Sequence, residues 1–238
     1  PPPESGKALS RAQIELFRKW IDSGADWSAH WAFVVPDQPA LPDVVSEWQT
    51  NNSIDRFIHQ PIKARGLTPE TQASKEALIR RATLDLTGLP PTLQEIDAFL
   101  ADDSPQAFER IVDRLLESTR YGEHMARMWL DVARYGDTHG LHLDNERSIW
   151  PYRDWVIKSF NRNQPFDEFT IEQLAGDLLP ADSQWQRDRQ TVGTGFLVVG
   201  PKLLNENNTS LVYRMGVVDD QIDTTFRAFL GLTVGCAR

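Results

Sequence analysis

Apolar residues recur along this chain at helical spacing, interrupted at short intervals by a glycine, a proline or a capping residue. The clearest run is Phe108, Ile111, Val112, Leu115 and Leu116, at i, i+3, i+4, i+7 and i+8, with Glu109, Arg110, Asp113 and Arg114 opposite. Ser104, with Pro105 in the first helical position, is expected to open that helix. Ser10 and Gln13 form a capping box ahead of Ile14, Phe17 and Ile21, and Gly24 stops that helix. Ser53 begins a run carrying Ile54, Phe57 and Ile58 that closes near Gly66, with Pro61 as a kink point. Ser74 begins another that ends at Gly88, and after the rigid Leu89-Pro90-Pro91 link Thr92 and Glu95 make a further capping box.

Downstream, the run 122–135 puts Met125, Met128, Trp129 and Val132 on one side, then gives way to a polar loop at 136–147. Residues 150–160 read as a helix carrying Trp155, Val156 and Phe160. Thr170 with Gln173 caps a short helix ending before Pro180, and a last helix runs from Ser210 towards Leu230. The stretch 191–200 reads two ways. Its β-branched residues and glycines suit a strand, and the spacing of Val192, Phe196 and Val199 suits a buried helix. With nearly every segment helical and no repeating period, the expected fold is all-α, an irregular multi-helix domain with a Pro-rich N-terminal linker.

An apolar content of 40% over 238 residues is enough to bury a core, and 15 prolines and 14 glycines spread along the chain argue against low complexity. The formal charge of −9, with no basic stripe interleaved with aromatics, argues against nucleic acid as a partner. No apolar run approaches the ~20 residues that cross a bilayer, so no membrane span is expected in this segment. A single cysteine, Cys236, forms no intrachain disulfide, so cysteine usage leaves the compartment open.

Three ordered strings carry a family resemblance: Trp129-Leu-Asp-Val-Ala-Arg-Tyr-Gly-Asp137-Thr, Trp150-Pro-Tyr-Arg-Asp-Trp155, and Pro165-Phe-Asp-Glu-Phe-Thr-Ile-Glu-Gln-Leu-Ala-Gly-Asp-Leu-Leu-Pro180. With them the chain resembles the domain of unknown function that follows planctomycete-type cytochrome c domains. In that light residues 1–26 look like the C-terminal tail of a preceding cytochrome c-like domain. Residues 27–52, with Pro36, Pro39 and Pro42, form an extended linker, and 53–238 a helical domain truncated at its C-terminal end.

The string Gly231-Leu-Thr-Val-Gly-Cys236-Ala-Arg238 is similar to that family's approach to a Cys-x-x-Cys-His sequence. The resemblance implies that Cys236 is the first of two thiols that add to haem vinyl groups, the histidine beyond supplying an axial nitrogen. The alternative is a buried cysteine acting as a small hydrophobe. The implied cofactor is haem c, and the implied location periplasmic or extracellular. The implied partners are other domains of the same polypeptide and a redox partner.

In the polar loop, Asp137, His139, His142 and Asp144 offer oxygen and imidazole donors for zinc, iron or manganese. The spacing matches no established signature, and the alternative is that the aspartates close Asx turns beside ordinary loop histidines. Of eight tryptophans, Trp27, Trp31 and Trp48 lie in or beside the linker, either as platforms for polysaccharide or as buried anchors. Arg153 and Asp154, among Trp150, Tyr152 and Trp155, form either a buried ion pair or a clamp for a substrate carboxylate. Glu168 and Glu172 lie a helical turn apart, with nothing in the sequence to shift either pKa for acid catalysis. No nucleophile motif, phosphate loop or dinucleotide fingerprint is present, so no catalytic residue is assigned and enzymatic activity stays open. The expected role is a helical module of an extracytoplasmic haem c-associated multidomain protein, serving electron transfer or redox chemistry. The rival is an extracellular polysaccharide-binding or hydrolase-associated scaffold domain.

Overall fold

Local capping chemistry sets most of the helix boundaries in this protein. The computed structural model describes residues 6, 8–28, 30–43, 48, 52–141, 144–201 and 210–235. Among them are ten α-helices, three 3₁₀ turns and no strand, with one isolated antiparallel bridge between Thr138 and Glu146. The fold is all-α. The chain divides into two compact units, Pro1–Thr71 and Gln72–Arg238.

In the first unit, helix α1 (Arg11–Asp22) starts at the Ser10–Gln13 capping box, both reciprocal bonds being formed. Its stripe of Ile14, Phe17 and Ile21 stays exposed. Helix α2 (Ser53–Ala64) is capped by Asn52, whose side chain accepts the N–H groups of Ile54 and Asp55, and it continues through Pro61. Trp48 packs edge-on against His59 at 5.2 Å, while Trp27 and Trp31 are 84% and 80% exposed. Trp48 is half-buried.

The second unit begins with α3 (Lys75–Thr87), capped by Ser74 and closed by left-handed Gly88, and α4 (Leu93–Leu100) on the Thr92–Glu95 capping box. Helix α5 follows at Ala107–Leu116, two residues later than Pro105 promised. The reason is that Ser104 does not cap: its N–H goes to Asp102 at 3.0 Å and its hydroxyl accepts from Arg110. Ile111 and Leu115 join Ile79, Phe99 and Ala107 in a small core, while Phe108 and Leu116 at the stripe's edge are exposed.

The larger core is built by α6 (Thr119–Ala133), α7 (Trp150–Asn161), α8 (Phe166–Ala175), α9 (Gln184–Gly193) and the end of α10 (Leu211–Leu230). The inward face of α6 is Gly122, Ala126, Trp129, Leu130 and Ala133, whereas Met128 and Val132 are exposed. Small residues win the interior positions because α7 lies so close. A Cβ on Gly122 would sit 2.5 Å from the Ile157 carbonyl and from the Asn161 side chain, which itself accepts the Gly122 N–H at 2.8 Å.

Trp129, partly buried, packs against this core, 4.9 Å from Phe169, 5.9 Å from Phe196 and 5.5 Å from Phe229. Its Nε1 donates to Gln173 Oε1 at 2.7 Å and to the Tyr152 hydroxyl at 3.1 Å. Tyr152 donates to the same amide oxygen at 2.7 Å, and Gln173 Nε2 donates to the Phe169 carbonyl. Every side-chain polar atom of this group thus has a partner, which the buried Tyr152 and Gln173 require in an apolar interior. Burial pushes the Tyr152 phenol well above its ordinary pKa.

Helix α8 begins at Phe166, before Thr170, because Asp167 and Glu168 complement the first-turn N–H groups and Thr170 bonds back to the Phe166 carbonyl instead of capping. Residues 191–200 form the end of α9 and a 3₁₀ turn, Thr194–Leu197, which resolves the strand-or-helix ambiguity in favour of helix.

Candidate functional site

The polar loop after α6 is held by its own backbone and by one arginine. His139 N–H donates to the Asn145 carbonyl at 3.0 Å, and Arg147 N–H to the Asp137 carbonyl at 2.9 Å. The Arg147 guanidinium then bonds the carbonyls of Gly136 (3.1 Å), Gly200 (2.8 Å) and Val199. Beside it Arg134, in the left-handed conformation that closes α6, pairs with Asp220 of α10 at 2.5 and 2.9 Å. These two arginines pin the loop to the core, a role that sequence reading did not assign to either.

Within the loop, Asp137 is exposed and accepts the Tyr135 hydroxyl at 2.6 Å. Burial, reinforced by that bond to a carboxylate, pushes the Tyr135 phenol up to about 12. Asp144, at positive φ, accepts the Gly140 N–H at 2.8 Å. Bonds from Thr138 and Gly140 hold its carboxyl below the ordinary range. His139 is half-buried, with Nδ1 enclosed and unpartnered. His142 lies outside the described residues, as does Cys236. Among the described residues no three His, Cys, Asp or Glu side chains converge as metal ligands.

A different place in the unit brings chemistry together, the cleft of about 240 Å³ between α7 and α9. Trp150, Asp154, Lys158 and Arg162 follow one another at i, i+4, i+8 and i+12 along α7, and Trp185, Asp188 and Arg189 line the facing side of α9. Trp155, 4% exposed, forms the floor, and its Nε1 has no hydrogen-bond partner. The helices approach this closely because position 193 is glycine: a Cβ there would lie 3.0 Å from the Trp155 ring and from the Glu172 carbonyl. Trp150 and Trp185 are 52% and 73% exposed, so two large aromatic side chains stand in water at one opening.

Behind the cleft lies Glu172 of α8, only 6% exposed. Arg189 grips its carboxylate with both nitrogens, at 2.7 and 2.5 Å, and Gln164 Nε2 donates at 3.0 Å. Arg162 stands 3.7 Å away and bonds Ser159 and Gln164. The paired acids considered in sequence therefore separate: Glu168 is exposed, and Glu172 is a structural anion that orients Arg189. Arg153 and Asp154 form a half-exposed pair of neighbours at 3.2 Å, at the cleft rim.

The fold and site define a helical domain with an aromatic, cation-lined cleft. By sequence the chain belongs to the PSCyt2 family of proteins of unknown function (DUF1549), which matches residues 53–238. No curated protein and no solved structure is significantly similar to it.

Proposed function

We propose that the Gln72–Arg238 unit is a saccharide-binding helical module. One observation carries this reading: Trp150 and Trp185, from two different helices, stand largely exposed at a single cleft that is also lined by Asp154, Lys158, Arg162, Asp188 and Arg189. Exposed apolar surface gathered at one opening, rather than scattered, is the mark of an interaction site. A sugar ring offers a C–H face for stacking and hydroxyl edges for hydrogen bonds, which matches an aromatic wall beside Lys158, Arg162 and Asp188. Affinity electrophoresis of the chain in gels containing a panel of polysaccharides tests it. Retardation that disappears in a Trp150→Ala, Trp185→Ala double variant, with circular dichroism unchanged, is the expected result, and no retardation by any polysaccharide rejects the reading.

A second reading, a module of an extracytoplasmic haem c-associated protein, is favoured by the ordered strings in Gln72–Arg238 and by the approach to Cys236. The first thiol would be that of Cys236, which lies outside the described residues. Haem would be held by residues outside the described set, in a periplasmic or extracellular protein whose other domains and redox partner complete the system. Expressing the longer native polypeptide through a cytochrome c maturation system tests this. Covalent haem seen by absorbance and mass is expected, and a free Cys236 thiol in the matured product rejects it.

A further inference from the structure

We infer that the saccharide taken by the α7–α9 cleft carries an oxyanion, a carboxylate or a sulfate ester, bound by Lys158 and Arg162. The inference rests on the saccharide reading above and concerns the same site. Its basis is the way charges are matched around the cleft. Asp154 is paired with Arg153 at 3.2 Å, and Glu172 has both carboxylate oxygens taken by Arg189. Arg162 is left 3.7 Å from that same carboxylate, with its Nη2 turned towards neutral oxygens of Ser159 and Gln164. One turn earlier on the same face, Lys158 is exposed and makes no ion pair among the described residues. Asp188, opposite, accepts from Gln184 at 2.7 Å, and Glu172 and Glu168 act on Arg162, so Lys158 is the cleft cation that has no paired carboxylate among the described residues.

In a chain of net charge −9, the cleft lining sets Lys158, Arg162 and Arg189 against Asp154 and Asp188. Burial first, then the neighbouring Arg189, disfavour the charged form of Arg162, while Glu172 and Glu168 act in the opposite sense and leave the net shift downward, which an incoming anion would offset further. A planar fork and a flexible ammonium one helical turn apart suit an oxygen-rich anion held from two sides. Trp150, two turns before Lys158 on α7, and Trp185 across the cleft place the stacking surface beside the charge, as a charged sugar residue requires.

The test uses the full chain in affinity gels with alginate, a polymer of uronic acids, carrageenan, a sulfated polymer, and neutral dextran. Retardation by alginate identifies the carboxylate and retardation by carrageenan the sulfate. Either is expected to weaken at least about tenfold in Lys158→Glu, an exposed change that leaves the fold intact. Dextran held as strongly as both charged polymers, with Lys158→Glu without effect, overturns the inference and leaves the saccharide reading standing. Retention of the charged polymers that survives the double tryptophan variant shows plain charge attraction and overturns both. No retention by any polysaccharide overturns both as well.

Discussion

Replacing Glu172 by Gln keeps the shape of the side chain and removes the charge on which two arginines are organised. The carboxylate is 8% exposed, accepts two bonds from Arg189 at 2.7 and 2.5 Å and a third from Gln164, and has Arg162 at 3.7 Å. Removing one partner of a fully buried pair costs about 3–5 kcal/mol. The Arg189 and Arg162 side chains are 20% and 37% exposed, so water relieves part of that penalty, and a loss of about 2–3 kcal/mol is expected. At ~2–4 °C per kcal/mol for a chain of this size, the melting temperature of the Gln72–Arg238 unit falls by roughly 4–12 °C. Thermal and urea unfolding followed by tryptophan fluorescence read it directly. A second variant separates lost charge from general damage: Glu172→Gln combined with Arg189→Met removes the unmatched cation and is expected to recover part of the loss. A Glu172→Gln protein within about 0.5 kcal/mol of wild type would refute the argument, because it would mean that the arginines are solvated rather than held.

Gly122→Ala places a methyl 2.5 Å from the Ile157 carbonyl, so α6 and α7 must part, at a cost of about 1–3 kcal/mol in urea unfolding; a neutral outcome would show that the interface yields. Gln173→Leu leaves the Trp129 indole and the Tyr152 hydroxyl without their shared acceptor, and an equilibrium loss of at least about 2 kcal/mol is expected. Asp102 is held down to about 2 by the Ser104 hydroxyl first, then by the Ser104 N–H and Arg110. Its contribution to stability is therefore present above the ordinary aspartate value of 3.8 and is lost as pH falls through about 2. Carbon-detected NMR titration should show that midpoint rising towards 3.8 in Ser104→Ala, and an unmoved midpoint would contradict the assignment. Arg147→Met removes three carbonyl contacts and should speed amide exchange at His139 and Arg147 while leaving the global transition nearly unchanged; coupled loss of both would show that the loop belongs to the core.

The features legible in sequence are those decided within a few residues. Capping at Ser10, Ser74, Thr92 and Ser210 is a contest between one side chain and its nearest N–H groups, and all four boundaries are found where the sequence puts them. Helix α9 was missed because Gln184 to Thr191 holds a single large apolar residue, Trp185, although Ser183 and Gln186 carry the spacing of a capping box. The inward face of α6 was misjudged because hydrophobicity favours Met128, while the tight approach of α7 favours glycine and alanine. At the site the difficulty is distance along the chain. Trp150 and Trp185, like Glu172 and Arg189, line one cleft or pair only through packing, whereas in the loop Asp137 accepts the Tyr135 hydroxyl and Asp144 the Gly140 N–H.

Trp129, Tyr152 and Gln173 come from three different helices and share one amide oxygen. A slip of one residue in any of those helices would strand a donor in a dry interior, where misassembled packings of greasy side chains alone would otherwise be nearly equal in energy. The trio thus works as a lock on alignment: it admits a single register of α6, α7 and α8, and that register is the one that sets Trp150, Lys158 and Arg162 opposite α9.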